Sequence, residues 1–217
     1  MQKTLVSLDD FKDIFTAIQD NIKSNVKYLC ELDSVIGDGD HGTTIAKGFD
    51  NAVKQIEINN PNNIKDLFMV VGNAIIDLVG GVTGIVFGNM FTSMAEAISE
   101  TTVSVDIGGL ASMFEKALDS SLTIGKGAKP GEKTMVDALY PAVLSLKKSF
   151  NENKLLKQAL EEMSAAADNG ALSTKDMIAT KGRARYLGER SLGHQDPGAT
   201  SIAIIIKAFS VIFKQNQ

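Results

Sequence analysis

Apolar residues recur along most of the chain at the spacing that places them on one face of an α-helix. Eight such stripes can be traced, whereas the alternation of apolar and polar residues expected of strands is not convincing anywhere. The run 202–206 could be a buried strand, but it continues at helical spacing to Phe213 and is assigned to a helix. The stripes cover residues 11–29, 45–56, 67–79, 86–98, 110–118, 135–146, 156–167 and 202–213.

Glycine, proline and asparagine mark the ends of these predicted helices. Asn59-Asn60-Pro61 should end the second and Gly80-Gly81 the third, while Thr43 or Thr44 could cap the start of the second. Pro141 lies inside the sixth and should kink it or delay its start. Helices joined by short connections predict an all-α fold, an eight-helix antiparallel up-and-down barrel or bundle. We expect residues 1–217 to form a single domain.

The glycines are concentrated in a few places. Of the 19 glycines, 15 lie in the windows 37–48, 80–88, 125–131 and 182–198, which follow the first, third, fifth and seventh predicted helices. Because alternate connections of an up-and-down bundle lie at the same end, these four windows should meet. Glycine favours sharp turns and close approach of the backbone to a ligand. One end of the bundle is therefore predicted to hold a binding site.

An acidic stretch adjoins the first window. Asp33, Asp38 and Asp40 fall within eight residues, and no lysine or arginine lies between Lys27 and Lys47. Carboxylates held this close repel one another, and oxygen ligands in a flexible loop suit Mg²⁺ or Ca²⁺ better than Zn²⁺. A solvated acidic loop is the competing interpretation.

The same stretch partly matches two known motifs. Gly37 to Gly42 spells G-x-G-x-x-G, but no strand precedes it and carboxylates in it would repel a pyrophosphate. An EF-hand counted from Asp38 would need a glutamate where Phe49 stands. The interpretation that remains is a cluster of carboxylates that binds a cation. It lies beside the start of a helix near His41, and the backbone amides of that helix start can bind an anion. A cation and an anion in one place suggest a metal phosphate.

The other windows supply a histidine and basic side chains. Both histidines, His41 and His194, lie in glycine windows, but no Ser-His-Asp order is recognisable. The stretch 126–134 nearly reads as a P-loop, yet Glu132 replaces the glycine before Lys-Thr and no strand feeds it. Basic residues here could contact a phosphate or simply be solvated. They are Lys129, Lys133, Arg183, Arg185 and Arg190.

Composition narrows the class of protein. With 44% hydrophobic and 22% charged residues, the chain has the proportions of a globular protein. Its net charge of -4 argues against nucleic acid as a partner. The first residues lack the apolar run of a signal peptide, and no stretch reaches membrane-spanning length, so we expect a cytoplasmic protein without membrane contact. The lone Cys30 fits a reducing compartment and lacks the context of a nucleophile.

Four separated motifs resemble the nucleotide-binding subunit of dihydroxyacetone kinase. They are 32–42, Gly80-Gly81-Val82-Thr83-Gly84, Gly131-Glu132-Lys133-Thr134-Met135 and 181–198, and the match covers nearly the whole chain in order. The resemblance implies an eight-helix barrel with ADP or ATP at one end, and two Mg²⁺ ions held by Asp33, Asp38 and Asp40. The residues implied to lie against the nucleotide are His41, Gly42, Thr43, Thr44, Val82, Thr83, Met135, Arg183, Asp196, Pro197 and Gly198.

The resemblance also implies a division of labour between proteins. A separate dihydroxyacetone-binding kinase subunit holds the sugar as a covalent hemiaminal on its own histidine, and the phosphoryl group crosses the interface. A phosphotransferase-system protein that relays phosphate from phosphoenolpyruvate then rephosphorylates the bound ADP. No covalent nucleophile is expected in this chain, because metals and amides can position and neutralise a transferring phosphoryl group. The alternatives are a nucleotide-sensing regulatory module that docks on a transcription factor without catalysis and a Ca²⁺-binding structural protein.

Overall fold

The computed structural model describes residues 3–125 and 127–213. The first two residues, Lys126 of the P-loop-like stretch and residues 214–217 lie outside these ranges. The described chain contains nine α-helices, two short strands and three 3-10 helices. The helices are α1 (Leu8–Ser24), α2 (Val26–Ile36), α3 (His41–Asn59), α4 (Ile64–Leu78), α5 (Gly81–Ala95), α6 (Ile107–Ile124), α7 (Val136–Asn151), α8 (Leu156–Ser173) and α9 (Pro197–Ala208). The strands are β1 (Val6–Ser7) and β2 (Ser104–Val105), and the 3-10 helices cover Thr174–Asp176, Ala184–Ser191 and Phe209–Phe213.

Eight of these helices pack in a closed ring. The order around the ring is α1, α3, α4, α5, α6, α7, α8, α9 and back to α1, and each helix contacts the next. Successive helices of the ring run antiparallel, as the sequence predicts, although α2 lies between α1 and α3 in the chain and residues 174–196 connect α8 to α9. The ninth helix, α2, packs on α3 and α9. Every helix in the described ranges is too short or too polar to span a lipid bilayer.

The interior of the ring is apolar and rich in phenylalanine. Phe11 and Phe15 of α1 meet Phe68 of α4 edge to face, with ring centroids 5.1 and 5.2 Å apart. Phe91 of α5 lies 5.6 Å from Phe15 and 5.9 Å from Phe49 of α3 in the same manner. Edge-to-face pairs of this kind stabilise a core beyond the area they bury. The four helices α1, α3, α4 and α5 are thereby fixed relative to one another in the barrel core.

The first apolar stripe is divided at Asn25, where the pattern predicts one continuous helix. The Asn25 N–H donates to the carbonyls of Ile22 and Lys23 instead of to the residue four positions back. A new helix, α2, begins at Val26 and continues to Ile36, so Asp33 lies in its last turn. The structure therefore has one helix more than the eight predicted, and the acidic stretch begins on a helix.

The start of α3 also differs from the prediction. The helix begins at His41 with Asp40 at the N-cap, so the predicted cap at Thr43 or Thr44 is wrong. The reason is that the Asp33 carboxylate accepts hydrogen bonds from the N–H groups of residues 39 to 41, which fixes the helix start earlier. The predicted end of α3 is confirmed, since Asn60 adopts a left-handed conformation with φ 40° and caps it.

Pro141 lies inside α7 without ending it. The helix begins at Val136 and continues through the proline to Asn151. Proline cannot donate to the carbonyl of Asp137, four residues earlier. A β-carbon added to Gly170 of α8 would lie 2.2 Å from that carbonyl oxygen. Glycine at this position therefore lets α8 approach the part of α7 that the proline alters.

The two strands form a small feature that the sequence pattern does not predict. β1 and β2 pair antiparallel, with Val6 opposite Val105 and Ser7 opposite Ser104. They precede α1 and α6, whose C-terminal ends lead towards the glycine windows. The strand pair therefore closes the end of the barrel opposite those windows.

Candidate functional site

The three carboxylates of the acidic stretch converge at one end of the barrel. One carboxylate oxygen from each of Asp33, Asp38 and Asp40 lies within 4.8 Å of the others. Asp33 is buried at the end of α2, whereas Asp38 and Asp40 are exposed in the loop that leads to α3. The cluster thus combines one fixed carboxylate with two that face solvent.

Backbone amides hold the buried carboxylate in place. Oδ2 of Asp33 accepts hydrogen bonds from the N–H groups of Gly39 (2.9 Å), Asp40 (3.1 Å) and His41 (3.2 Å). Its other oxygen, Oδ1, lies beside Gly37, where an added β-carbon would be only 2.1 Å away. Glycine at 37 therefore leaves room for the second oxygen, while the N–H groups of residues 39 to 41 donate to the first.

This donor set fits a hard divalent cation. Oxygens less than 4.8 Å apart can share one ion at the metal–oxygen distances of about 2.1 to 2.5 Å that Mg²⁺ and Ca²⁺ adopt. The cluster offers only oxygen ligands, which suits these ions better than a transition metal. Asp33, Asp38 and Asp40 therefore lie close enough to bind one cation together, and their role as metal ligands stays a prediction.

Arg183 reaches the cluster from the fourth glycine window. Its guanidinium forms an ion pair with the carboxylate of Asp38, although both side chains are substantially exposed. A small apolar cluster of Ile36, Ala179 and Ala184 joins the end of α2 to the fourth window, through Ala184, and to the segment just before it. The first and fourth windows are therefore in contact through both charged and apolar side chains.

His41 connects three helices at the barrel end. Its Nε2 lies 2.8 Å from the hydroxyl oxygen of Ser201 on α9. Its ring centroid lies 6.2 Å from that of Phe87 on α5. His41 and Ser201 are both buried, so the contact is shielded from water. The start of α3 is thereby fixed against α5 and α9.

The protonation state of His41 is set by its surroundings. Burial lowers the pKa of His41, while the charges of Asp33, Asp40 and Asp38 and a hydrogen bond to the backbone of Pro197 act in the opposite direction. Because burial prevails, the imidazole is neutral at neutral pH. It joins the helices without adding positive charge to the site.

The N-terminus of α5 opens towards the same end. The helix begins at Gly81 with Gly80 at its N-cap, and no side chain caps its first turn. Thr83 precedes Phe87 by one helical turn, so it lies on the face that meets His41. Val82, by contrast, is 71% exposed. The uncapped first-turn amides are therefore available to an anion beside the start of α3.

The starts of α7 and α9 form a further part of the site. Asp196 caps α9 by accepting a hydrogen bond of 2.7 Å from the N–H of Ala199. A β-carbon added to Gly198 would lie 3.6 Å from Cβ of Met135, the N-cap residue of α7. Asp196, Pro197 and Gly198 therefore lie close to Met135, although more than 60 residues separate them in the chain.

The carboxyl group of Asp196 is strongly perturbed. Burial raises the pKa of Asp196 to about 7, with the charges of Asp137 and Asp33 adding to the rise. The N–H of Ala199 and the charge of Lys133 act in the opposite direction. The contribution of Asp33 places the N-cap of α9 within electrostatic reach of the acidic cluster.

Lys133 does not have the role considered for it from the sequence. It is only 1% exposed, and its ammonium donates hydrogen bonds to the carbonyl oxygens of Thr174 (2.6 Å), Met177 (3.3 Å) and His194. A lysine ammonium has three N–H donors, and these acceptors use all of them. The prediction that Lys133 could contact a phosphate is therefore wrong.

Contacts thus join the first, second and fourth windows, and Met135, four residues after the third window, lies beside Gly198. The structure also adds residues that the sequence does not indicate. Ser201 lies one helical turn after Pro197, so helical spacing could place both on one face of α9. Its contact with His41 joins residues 160 positions apart, and nothing in the sequence signals it. The same is true of the contact between His41 and Phe87.

Comparison with known proteins identifies relatives of the whole chain. The DAK2 domain family model matches residues 35–211. The chain is 38% identical over 200 residues to the PEP-dependent dihydroxyacetone kinase, ADP-binding subunit DhaL, of Escherichia coli, covering 92% of this chain and 94% of that protein. It is 36% identical over 189 residues to the corresponding subunit of dihydroxyacetone kinase 1 from Listeria innocua, covering 87% and 88% of the two chains.

Solved structures show the same fold. The native dihydroxyacetone kinase of C. freundii superposes with a TM-score of 0.73 at 24% sequence identity, covering 98% of this chain and 36% of that chain. This chain therefore corresponds to about a third of the larger enzyme. The same enzyme in complex with AMP-PNP and Mg²⁺ superposes with a TM-score of 0.71 at 23% identity.

Proposed function

The chain belongs to the DAK2 domain family, and we propose that it is the nucleotide-binding, phosphoryl-transferring subunit of a kinase for dihydroxyacetone or a related short ketose. The observation that carries the proposal is the convergence of Asp33, Asp38 and Asp40 within 4.8 Å beside the N-termini of α3 and α5. A carboxylate cluster next to open helix N-termini suits a nucleotide phosphate and its cation. The named function of the two bacterial relatives supports the same assignment.

Asp33, Asp38 and Asp40 would hold the cation, and we propose two Mg²⁺ ions. When bound, Mg²⁺ supplies neutralisation of the charge on phosphate oxygens. The three ligands differ: Asp33 is fixed by three backbone N–H groups, Asp38 is exposed and paired with Arg183, and Asp40 is exposed. The complex of the C. freundii enzyme with AMP-PNP and Mg²⁺ is consistent with such a site in this fold.

The helix N-termini would bind the phosphates. The first-turn amides of α3, at Gly42 and Thr43, and those of α5, at Val82 and Thr83, point their N–H groups out of the helix ends. Thr44 follows in α3, where its N–H donates to the carbonyl of Asp40, so it would contact the nucleotide through its side chain. Such amides bind anions, and the helix dipole adds to the attraction. Arg183 lies within reach of the cluster through Asp38 and can exchange that carboxylate for a phosphate oxygen.

Residues at the starts of α7 and α9 would hold the rest of the nucleotide. Met135 is buried at the start of α7, and Gly198 faces it from α9. An apolar side chain opposite a glycine can accept a flat, uncharged group. Asp196 and Pro197 would complete this wall, while His41 keeps α9 at its distance from α3.

The chemistry fits a chain without its own nucleophile. Phosphoryl transfer requires in-line positioning and neutralisation of charge, which amides, an arginine and bound cations provide. The ketose would be held by a separate dihydroxyacetone-binding subunit docked over this end of the barrel. ADP would stay bound and be rephosphorylated by a phosphoenolpyruvate-dependent phosphotransferase protein. The names of the relatives, which call the kinase PEP-dependent and the subunit ADP-binding, are in keeping with this proposal.

The proposal is tested by analysing the purified protein for bound nucleotide. The protein is denatured, the extract is chromatographed for adenine nucleotides, and ADP binding is measured by calorimetry with Mg²⁺ and with a chelator. We expect bound ADP and a Mg²⁺-dependent affinity. Absence of nucleotide together with absence of ADP binding would reject the proposal, and tight Ca²⁺ binding without nucleotide would favour a structural metal site.

Catalysis is tested by reconstitution. The protein is mixed with a dihydroxyacetone-binding kinase subunit, dihydroxyacetone and a phosphoenolpyruvate-dependent phosphodonor system, and triose phosphate is measured. Production that requires all components supports a kinase subunit. A protein that binds nucleotide but supports no transfer with any such partner would instead be a nucleotide-sensing regulatory module.

A further inference from the structure

Lys133 has an unusual backbone conformation for its residue type. Its φ is 61°, in the left-handed region that side chains with a β-carbon disfavour. It is also 1% exposed, whereas lysine is rarely buried to this extent. A residue in such a conformation persists only when its surroundings hold it there, and these positions cluster at functional sites. Glycine would adopt this backbone conformation at lower cost. The reason for a lysine at this position must therefore lie in the contacts of its side chain.

The side chain of Lys133 crosses to a distant part of the chain. Its ammonium donates to the carbonyl oxygens of Thr174 and Met177, in and after the 3-10 helix Thr174–Asp176, and of His194, which precedes α9. Burial lowers the pKa of Lys133, while the charges of Asp196, Asp137 and Asp176 oppose this effect. The carbonyl groups thus replace water around a cation that links both ends of the segment 174–196.

Two of these contacts lead directly to Asp196. Thr174, whose carbonyl binds Lys133, accepts a hydrogen bond of 2.9 Å from the Asp196 N–H at its side-chain oxygen. The carbonyl of His194 lies two residues before Asp196. Lys133 itself lies two residues before Met135, the N-cap of α7. One side chain therefore fixes the start of α7, at Met135, and the start of α9, at Asp196, relative to each other.

We propose that Lys133 is a positioning residue that sets the distance between Met135 and the Asp196–Gly198 turn, between which the nucleotide lies. The proposal rests on the proposed nucleotide site, but it concerns a residue that does not touch the ligand. The hydrogen bonds of the Lys133 ammonium go to Thr174, Met177 and His194 and to none of the three aspartates. Asp33 is held by the backbone N–H groups of residues 39 to 41, and the segment 174–196 reaches the cluster through the exposed Arg183–Asp38 ion pair. Loss of the ammonium should therefore weaken nucleotide binding while leaving binding of a metal ion alone unchanged.

The main variants are Lys133→Met, which keeps the length of the side chain but has no donor, and Lys133→Gly, which also removes the disfavoured backbone conformation. Lys148→Met, at an exposed position of α7, is the matched control. Folding is checked by circular dichroism. Three quantities are then measured on metal-free and loaded protein: hydrogen exchange of the amides in 174–198, the affinity for ADP with Mg²⁺, and the affinity for Mn²⁺ alone.

We expect both Lys133 variants to raise hydrogen exchange in 174–198 and to weaken ADP binding by about tenfold or more, with Mn²⁺ binding within about twofold of the wild type. If only the backbone conformation at position 133 mattered, and not the contacts of the ammonium, Lys133→Gly would bind ADP as the wild type does. That result would overturn the proposal. Unchanged exchange in 174–198 would also overturn it. The exchange measurement needs no nucleotide, so it decides the role of Lys133 in holding the segment even if the wild type binds no ADP.

Thr174 provides an independent test if the Lys133 variants do not fold. Thr174→Val keeps the shape of the side chain but removes the acceptor for the Asp196 N–H, and Thr174→Ser restores that acceptor. We expect Thr174→Val to weaken ADP binding by about fivefold, with recovery in Thr174→Ser. Equal ADP affinity in Thr174→Val and the wild type would show that the path from Lys133 to Asp196 does not position the nucleotide.

Discussion

Nε2 of His41 and the hydroxyl oxygen of Ser201 lie 2.8 Å apart, joining the first residue of α3 to the second turn of α9. Both residues are buried, and the imidazole also meets Phe87 of α5. Helices α3, α5 and α9, whose N-termini supply residues of the proposed nucleotide site, are thus joined by one side chain. The geometry of the site depends on this contact as well as on the residues proposed to touch the ligand.

Ser201→Ala should destabilise the protein and loosen the site. The substitution leaves Nε2 of His41 without its buried partner, which typically costs about 1 to 3 kcal/mol. We expect a lower free energy of unfolding in urea and weaker ADP binding. Ser112→Ala removes an exposed hydroxyl that bonds within α6 and should change stability by less than about 0.5 kcal/mol. Equal stability of the two variants would contradict the role given to Ser201.

Asp38→Ala should abolish retention of nucleotide during purification. The variant loses one ligand of the proposed metal, while Asp33 and Asp40 still repel phosphate. We expect affinity for ADP with Mg²⁺ to fall by about 100-fold or more, measured by calorimetry. Asp20→Ala, which removes an exposed carboxylate from α1, is the control and should bind as the wild type does. Retention at the wild-type level in Asp38→Ala would argue against a metal bridge.

The pH dependence of stability should reveal Asp196. Because the pKa rises from 3.8 to about 7 on folding, the folded protein binds a proton that the unfolded chain releases in this interval. Stability should therefore fall as pH increases from about 4 to about 7, at a slope from this group approaching about 1.4 kcal/mol per pH unit. His41 acts in the opposite direction near pH 6.5, since its pKa is lowered on folding.

The comparison that isolates this effect is Asp196→Asn. The difference in unfolding free energy between the wild type and Asp196→Asn, measured in a chelator without nucleotide, should change with pH in that interval. Asp106→Asn makes the same change at the exposed N-cap of α6 and serves as the control. A difference that does not vary with pH would show that Asp196 ionises normally in the folded protein.

Gly84→Ala should disturb the start of α5. A β-carbon at this position would lie 1.8 Å from the carbonyl oxygen of Val79, so the first turn of α5 must move. We expect destabilisation of about 1 to 3 kcal/mol and weaker ADP binding. Gly80 has φ -68° and no atom within 4 Å of an added β-carbon, so Gly80→Ala is the matched control. If both variants unfold at the same urea concentration, close packing of Gly84 is unimportant.

Much of the fold could be predicted from the sequence because helical periodicity is a local property. The apolar stripes located the ring helices, and the asparagine and glycine breaks located several of their ends. The division at Asn25 could not be predicted, because apolar residues continue at helical spacing on both sides of it. The start of α3 was missed for a different reason: it is set by Asp33, eight residues before His41.

The site could be predicted only in part. Asp33, Asp38 and Asp40 are close in sequence, so their proximity could be inferred directly. Lys133 shows the limit of such inference, since a lysine beside glycines suggests a phosphate contact, whereas its actual acceptors are backbone carbonyls more than 40 residues away. Backbone carbonyls are present at every residue, so the sequence carries no signal for this kind of partner.

Closure of the ring by contact between α9 and α1 has a consequence for biosynthesis. The acidic cluster precedes Asp196, the N-cap of α9, and Ser201, within α9, by more than 150 residues. In a chain emerging from the ribosome, the carboxylates are therefore synthesised long before the α9 residues that complete the site. Ligand capture would be among the final events of maturation, and by mass action the cellular nucleotide pool would then favour the finished barrel over incomplete forms.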